Sequence, residues 1–247
     1  MRPVPKVIDL NCDVGEGAGF DAELMPLITS ANIACGAHAG DAFIMKATMA
    51  LARRHGVAVG AHPGFADREN FGRRELRLAP AEITELVRAQ VTALAALGAI
   101  GHVKPHGALY NLAARDRVVA EAIVAGIRAV DPRLKLWALA GGALLQAGRE
   151  RGLTVASEVF ADRTYRADGT LTPRTRPDAL IEDESLAVAQ VLRMVREGVV
   201  RATDGSDVQI EADTVCLHGD APQAVAFAGR LRRELAAAGI GMRAFGA

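Results

Sequence analysis

Short clusters of Asp, Glu, His, Lys and glycine recur along this chain, each placed just after a run of apolar residues. The first is Asn11-Cys12-Asp13-Val14-Gly15-Glu16 and the second runs from Asn32 to Asp41 through His38. Gly60-Ala61-His62-Pro63-Gly64 and Val103-Lys104-Pro105-His106-Gly107 follow, then Ser157-Glu158-Val159-Phe160-Ala161-Asp162-Arg163 and Cys216-Leu217-His218-Gly219-Asp220. Histidine exchanges protons near neutral pH, lysine and arginine hold anions, and carboxylates act as bases or ligate cations. Glycine within two residues of His38, His62, His106 and His218 lets the backbone approach a ligand closely. A single polar residue at such a junction more often caps a helix or satisfies a turn. Only one junction, Ala138 to Gly142, lacks an ionisable group, so the pattern reads as a functional site.

Lys104 is the sharpest signal. A lysine within a buried strand pattern is costly unless it faces an anion: a carboxylate, a phosphoryl group or a developing oxyanion. Glu158, also at the end of an apolar strand, is expected to partner that lysine or to act as a general base, and Asp162 and Arg163 to orient it or clamp substrate. Arg73-Arg74, in the long loop after the third strand, offers a second anion contact. Asp13, His38 and His62 come from three successive strands and could ligate a divalent metal with an open position. Metal-free acid–base work by the same histidines and aspartate is the competing reading. His55 and His102 are expected to serve loop or backbone hydrogen bonds away from the site. Cys12, Cys35 and Cys216 have no Cys-x-x-Cys spacing and are expected to be small buried packing residues. There is no P-loop and no dinucleotide-binding glycine fingerprint.

The elements that position these groups alternate. Strands are expected at 7–10, 31–34, 57–61, 102–104, 134–139, 154–159 and 214–217. Their continuous apolar character suits parallel strands covered on both faces. Amphipathic helices are expected at 42–54, 81–97, 116–130, 143–151, 185–197 and 221–238, with Pro80 opening the second and Gly98 closing it. Repeated strand–helix units make a parallel sheet whose strand C-termini share one ligand-binding face. Seven units suit a closed barrel better than an open sheet. Segments 163–183 and 199–213, each with an Asp-Gly turn, interrupt the rhythm as hairpin excursions. No repeat or composition shift divides residues 1–247, so one domain is expected.

Composition narrows the partners. The 29 basic and 29 acidic residues balance, which argues against nucleic acid or an anionic membrane as partner. No run approaches the roughly 18 apolar residues of a membrane span, and residues 1–6 lack a signal-peptide core. Three scattered cysteines make no disulfide framework. A cytoplasmic globular protein is expected, and self-association into a homo-oligomer is left open.

These clusters, together with Asp9-Leu10, Phe71-Gly72-Arg73-Arg74 and Lys104 through Tyr110, resemble the LamB/YcsF family, in order, from about residue 7 to the C-terminus. Gly17-Ala18-Gly19-Phe20 and Ala221 depart from its usual pattern. The resemblance implies a seven-stranded (β/α) barrel of the glycoside hydrolase/deacetylase type. It also implies opening of 5-oxoproline to L-glutamate with ATP as co-substrate, in a complex with subunits B and C. Asp13, His62, Lys104, His106 and Glu158 are then expected to carry the chemistry. Asn11, Asn32, His38, Asp162, Arg163 and His218 are expected to contact substrate. Lys104 would hold the substrate carboxylate or the phosphorylated oxygen, and Lys104→Ala is expected to abolish turnover while sparing the fold. Two other readings stand beside this one: a stand-alone metal-dependent amidohydrolase or deacetylase, and a non-catalytic scaffold, which the density of ionisable groups disfavours.

Overall fold

The computed structural model describes residues 7–218 and 223–247. Its first strand, β1 (Val7–Val14), shows the rule that builds the rest. Ile8, Leu10, Cys12 and Val14 are buried outward against helices, whereas Asp9, Asn11 and Asp13 bond to side chains across the interior.

Parallel to β1 run β2 (Ser30–Ala34), β3 (Ala58–His62), β4 (His102–Val103), β5 (Lys135–Leu139) and β6 (Val155–Phe160). The next strands in the chain, β7 (Val199–Arg201) and β8 (Asp207–Gln209), form an antiparallel hairpin outside the barrel. The seventh barrel strand is therefore β9 (Thr214–Leu217), which pairs with β6 on one side and β1 on the other. That second pairing, Asp9 opposite Thr214 through Cys12 opposite Leu217, closes the sheet as expected. A short last strand, β10 (Gly241–Met242), adds to the start of β1.

The helices are α1 (Asp21–Leu24), α2 (Ala42–Arg54), α3 (Pro80–Ala95), α4 (Gly107–Arg115), α5 (Arg117–Val130), α6 (Ala143–Glu150), α7 (Glu184–Glu197) and α8 (Ala224–Ala237). Their starts are chemically marked. Asp41 caps α2 at Ile44 N, Asp116 caps α5 at Val118 N and Val119 N, and Asp183 caps α7 at Ser185 N and Leu186 N. None of them is long and apolar enough to cross a membrane among the described residues.

Three details differ from the sequence expectation. Helix α4 was hidden behind Pro105-His106-Gly107, which reads as a turn. The 163–183 excursion forms a small hairpin around Asp168-Gly169 (Arg166 N to Thr170 O, 2.8 Å; Thr172 N to Thr164 O, 3.0 Å) that takes up only part of the segment, and further bridges tie Arg163 to Leu180 and Tyr165 to Ala202; 199–213 contains a hairpin. The apolar strand pattern describes one face only, because the barrel interior is largely polar. Residues 221 and 222 of the expected last helix, like Gly219 and Asp220, lie outside the described residues.

Candidate active site

A column of hydrogen bonds climbs the barrel interior, and its donors and acceptors match. At the bottom Asp9 accepts from the hydroxyls of Thr29 (2.6 Å), Ser30 (2.7 Å) and Thr214 (2.5 Å). Burial pushes its carboxyl up to about 6 even though these hydroxyls stabilise the charge. One layer higher, Asn11 Nδ2 donates to Thr214 Oγ1 (2.8 Å) and Glu158 Oε1 (3.0 Å). Asn32 Nδ2 donates to Asn11 Oδ1 and Asp13 Oδ1, both at 2.8 Å. His102 Nε2 donates to Asn32 Oδ1 (2.9 Å), with its ring stacked on Trp137. His102 is thus no loop histidine: as an interior residue of β4 it fixes the asparagine that orients Asp13.

Lys104 sits at the top of this column and is almost wholly buried. Its Nζ lies 2.8 Å from Asp13 Oδ1, 2.9 Å from Glu158 Oε1, 3.2 Å from Asn11 Oδ1 and 3.0 Å from Cys216 Sγ. Burial alone would favour the neutral amine, but the facing carboxylates outweigh it and hold the ammonium well above its usual range. Asp13 shows the mirror effect. Burial opposes its charge, and His62 and Lys104 together hold its carboxyl well below the usual range. Three protons on Nζ already have acceptors in the protein, so the lysine fixes the charge of the floor before any ligand arrives.

Beside Asp13, a histidine cluster forms where β1, β2, β3 and β4 give way to their loops. Gly15, at φ 72°, turns the chain so that Glu16 folds back over the barrel end. Glu16 Oε1 lies 3.1 Å from His38 Nε2, 3.3 Å from His106 Nδ1 and 3.8 Å from His62 Nε2. The rings of His38 and His106 stack at 3.8 Å, nearly parallel. Asp13 Oδ2 is 3.3 Å from His62 Nε2. Burial lowers His38 and His106, so both are neutral near pH 7. It opposes charge on His62 too, but Asp13 raises that ring overall. Phe71, in the left-handed region at φ 54°, aims its carbonyl at His106 Nε2 (2.8 Å).

Above this floor opens a cavity of about 700 Å³, lined by Asp13, Glu16, His62, Lys104, His106 and Tyr110, with arginines at its rim. Arg174 donates to His218 Nε2 (2.7 Å), and His218 Nδ1 donates to Asp162 (2.8 Å). Arginine only donates, so in this chain His218 Nε2 accepts and its Nδ1 carries the proton. Arg73 lies over the Phe71 ring, 4.9 Å from its centroid, and also lines the cavity.

The sequence-derived residues therefore separate into three groups. Asp13, His38, His62, Lys104 and His106 converge at the floor. Asn11, Asn32 and Glu158 lie directly beneath it, fully buried and bonded to one another. Asp162 and His218 stand on the opposite rim, while Arg163 donates to the carbonyls of Thr172 (2.6 Å) and Ala179 (3.3 Å), anchoring the 163–183 loop. Sequence reasoning missed Glu16, Tyr110 and Arg174. Glu16 closes the first cluster three residues after Asp13, and that position was its signal; Arg174 lies in a loop with no local one. The three cysteines are buried and free, and burial pushes the Cys35 thiol up to about 12, which fits packing rather than nucleophilic roles.

Comparison with known proteins covers nearly the whole chain. The model of the LamB/YcsF family matches residues 8–247. A protein from Geobacillus kaustophilus, named as the A subunit of 5-oxoprolinase, is 54% identical, with 97% of each chain covered. Proteins of the same name from Shouchella clausii (56% identical; 96% of this chain, 98% of that one) and Bacillus subtilis (53%; 94% and 95%) are similarly close. The crystal structure of a lactam utilization protein from Thermus thermophilus superimposes with a TM-score of 0.90 at 46% identity, covering 96% of this chain and 99% of that one. A shared barrel, the polar clusters at its strand ends and a match over nearly every residue lead to one assignment: the chain belongs to the LamB/YcsF family.

Proposed function

We propose that the chain is a hydrolase of cyclic amides, acting as the A subunit of a 5-oxoprolinase. It opens the lactam of 5-oxoproline to L-glutamate, with ATP hydrolysed to ADP and phosphate and with subunits B and C as partners. The observation that carries this reading is the agreement of relatives 53–56% identical over nearly full length with a cavity whose floor fixes a carboxylate beside a buried lysine and whose rim is cationic.

The chemistry fits. A five-membered lactam re-forms readily from glutamate, so opening it gains from coupling to a phosphoryl donor. Phosphorylation of the lactam oxygen makes the ring carbon electrophilic and provides a leaving group. The rim arginines suit the anionic substrate. Of the two candidate bases, Asp13 lines the cavity and pairs with His62, whereas Glu158 is fully buried beneath the floor. Asp13 is therefore our choice to activate water, with His62 beside it. Lys104, itself anchored on Glu158, keeps Asp13 ionised and in place, and His106 Nδ1 faces the same nitrogen, His62 Nε2, that Asp13 approaches. The lysine's bonding within the protein shifts its role from carrying substrate to setting the field at the floor.

We read residues 1–247 as one barrel domain. Three unpaired buried cysteines are compatible with a cytoplasmic setting. The ATP site is left to the assembled enzyme, because no phosphate-binding loop occurs in the sequence. The deciding experiment is reconstitution of this chain with subunits B and C, assaying each alone and together with 5-oxoproline and ATP. Ring opening only by the assembled set supports the proposal. Ring opening by this chain alone, without ATP, would instead establish the stand-alone amidohydrolase, the reading that the histidine cluster favours.

A further inference from the structure

The contact between His62 and His106 is chemically incomplete. His62 Nδ1 lies 2.7 Å from the carbonyl of Lys104, and His106 Nε2 lies 2.8 Å from the carbonyl of Phe71. Carbonyl oxygens only accept, so each of these nitrogens carries the ring proton. In the neutral rings, the other two nitrogens then turn lone pairs toward each other at 2.9 Å. Two lone pairs at that distance require a positive centre between or beside them.

The surroundings supply two further donors. Glu16 Oε1 and His38 Nε2 join His62 Nε2 and His106 Nδ1, and all four atoms lie within 4.8 Å of one another. Four of the six donor–donor distances, 2.9 to 3.8 Å, bracket the edge of about 3.3 Å expected for a tetrahedron with metal–ligand bonds of 2.0–2.1 Å. The backbone carbonyls behind His62 and His106 are the outer partners that orient metal-binding imidazoles. His38 Nδ1 is buried with no partner, so the ring is set by what its Nε2 faces. Formal charge points the same way: Asp13 and Glu158 already share Lys104, and Glu16 adds a further carboxylate among neutral imidazoles.

We infer that Glu16, His38, His62 and His106 bind one divalent cation of the zinc class at the floor of the cavity. The set of three imidazoles and one carboxylate suits such a borderline ion better than magnesium or calcium, which prefer oxygen. It replaces the Asp13, His38, His62 triad suggested by the sequence: Asp13 stays outside the cluster, bonded to Lys104, and faces the ion's position from the side of His62. The cation would displace the proton that otherwise pairs His62 with Asp13. The site does not depend on which lactam is the substrate.

The test uses the full chain, stripped with a chelator and then titrated with Zn2+ by calorimetry. Metal content is measured after dialysis, and Co2+ serves as a spectroscopic probe. One equivalent of Zn2+ per chain and a tetrahedral Co2+ absorption band are expected. Glu16→Gln and His106→Ala should each weaken binding at least about 10-fold, since each removes a ligand. His218→Ala, on the opposite rim, should retain the full equivalent. Circular dichroism of the stripped variants checks folding, and His38→Gln is a further variant should His106→Ala fail to fold. The inference is overturned if the wild-type chain retains no metal and gives no Co2+ band, or if the ligand variants bind as tightly as the wild type. Either result would mean that a shared proton holds His62 against His106.

Discussion

Gly60 and His102 compete for one space inside the barrel: a methyl group on Gly60 would lie 2.0 Å from His102 Nε2. The imidazole has nowhere to go, because Trp137 stacks on it with centroids 3.4 Å apart and Asn32 accepts its proton. Gly60→Ala should therefore destabilise the protein by about 1–3 kcal/mol or more, seen as a lowered urea midpoint. An unchanged midpoint would show that the interior yields more easily than its packing implies.

Removing Lys104 should cost both chemistry and stability. Lys104→Met leaves Asp13 and Glu158 buried without their shared cation, a loss of about 3–5 kcal/mol. The sequence alone suggests that turnover is lost and the fold spared; burial of the ammonium adds the stability penalty. Denaturation of the purified variant beside the reconstituted assay checks both, and a variant as stable as wild type would contradict the hub role.

Asp13→Asn and Glu158→Gln separate the two carboxylates. If Asp13 is the base, its neutral isostere should lower kcat by about 10²–10⁴-fold. Glu158→Gln retains an oxygen for Lys104 and Asn11 and should do less. The reverse order in the reconstituted enzyme would exchange their roles.

Arg174 stands at the rim and holds His218 rather than the floor. Arg174→Met should raise KM for an anionic substrate about 10-fold, equivalent to about 1.4 kcal/mol, with a smaller change in kcat. A loss confined to kcat would place Arg174 in the chemical step instead.

His102 also predicts a pH dependence. Burial first, then the nearby Lys104 and Lys135, holds its folded form well below the ordinary 6.5. The unfolded chain takes up a proton below about pH 6.5 that the native one refuses. Stability from this group is therefore full above that pH and falls below it, by up to about 1.4 kcal/mol per unit. Asp9 acts oppositely: its raised value favours the folded state at low pH, a contribution lost as pH rises through about 6. Comparing wild type with His102→Gln by urea unfolding from pH 7.5 to 5 cancels Asp9, which both share. The variant should show the shallower decline; parallel curves would refute the assignment.

Much of the barrel was legible because its strands carry their apolar residues on the helix-facing side, and helix starts are marked by Asp41, Asp116, Asp183 and Pro80. The polar interior was not. Asp9, Asn11, Asn32 and His102 come from strands distant in sequence, and only closure of the sheet makes them partners. Lys104 stood out because a lone cation in an apolar strand demands a counter-charge; its counter-charges, Asp13 and Glu158, lie 91 and 54 positions away along the chain. Glu16 and Arg174 were missed because a glycine turn and an irregular loop, rather than periodicity, bring them to the cavity.

The column from Asp9 to Lys104 has a last consequence. Its side chains fill the barrel from one end, and β10 lies against the start of β1 at that same end. The protein is a cup rather than a tube. On the function proposed above, the arginine-lined lip is the part of that cup, among the described residues, that a companion protein handing over an activated intermediate would meet.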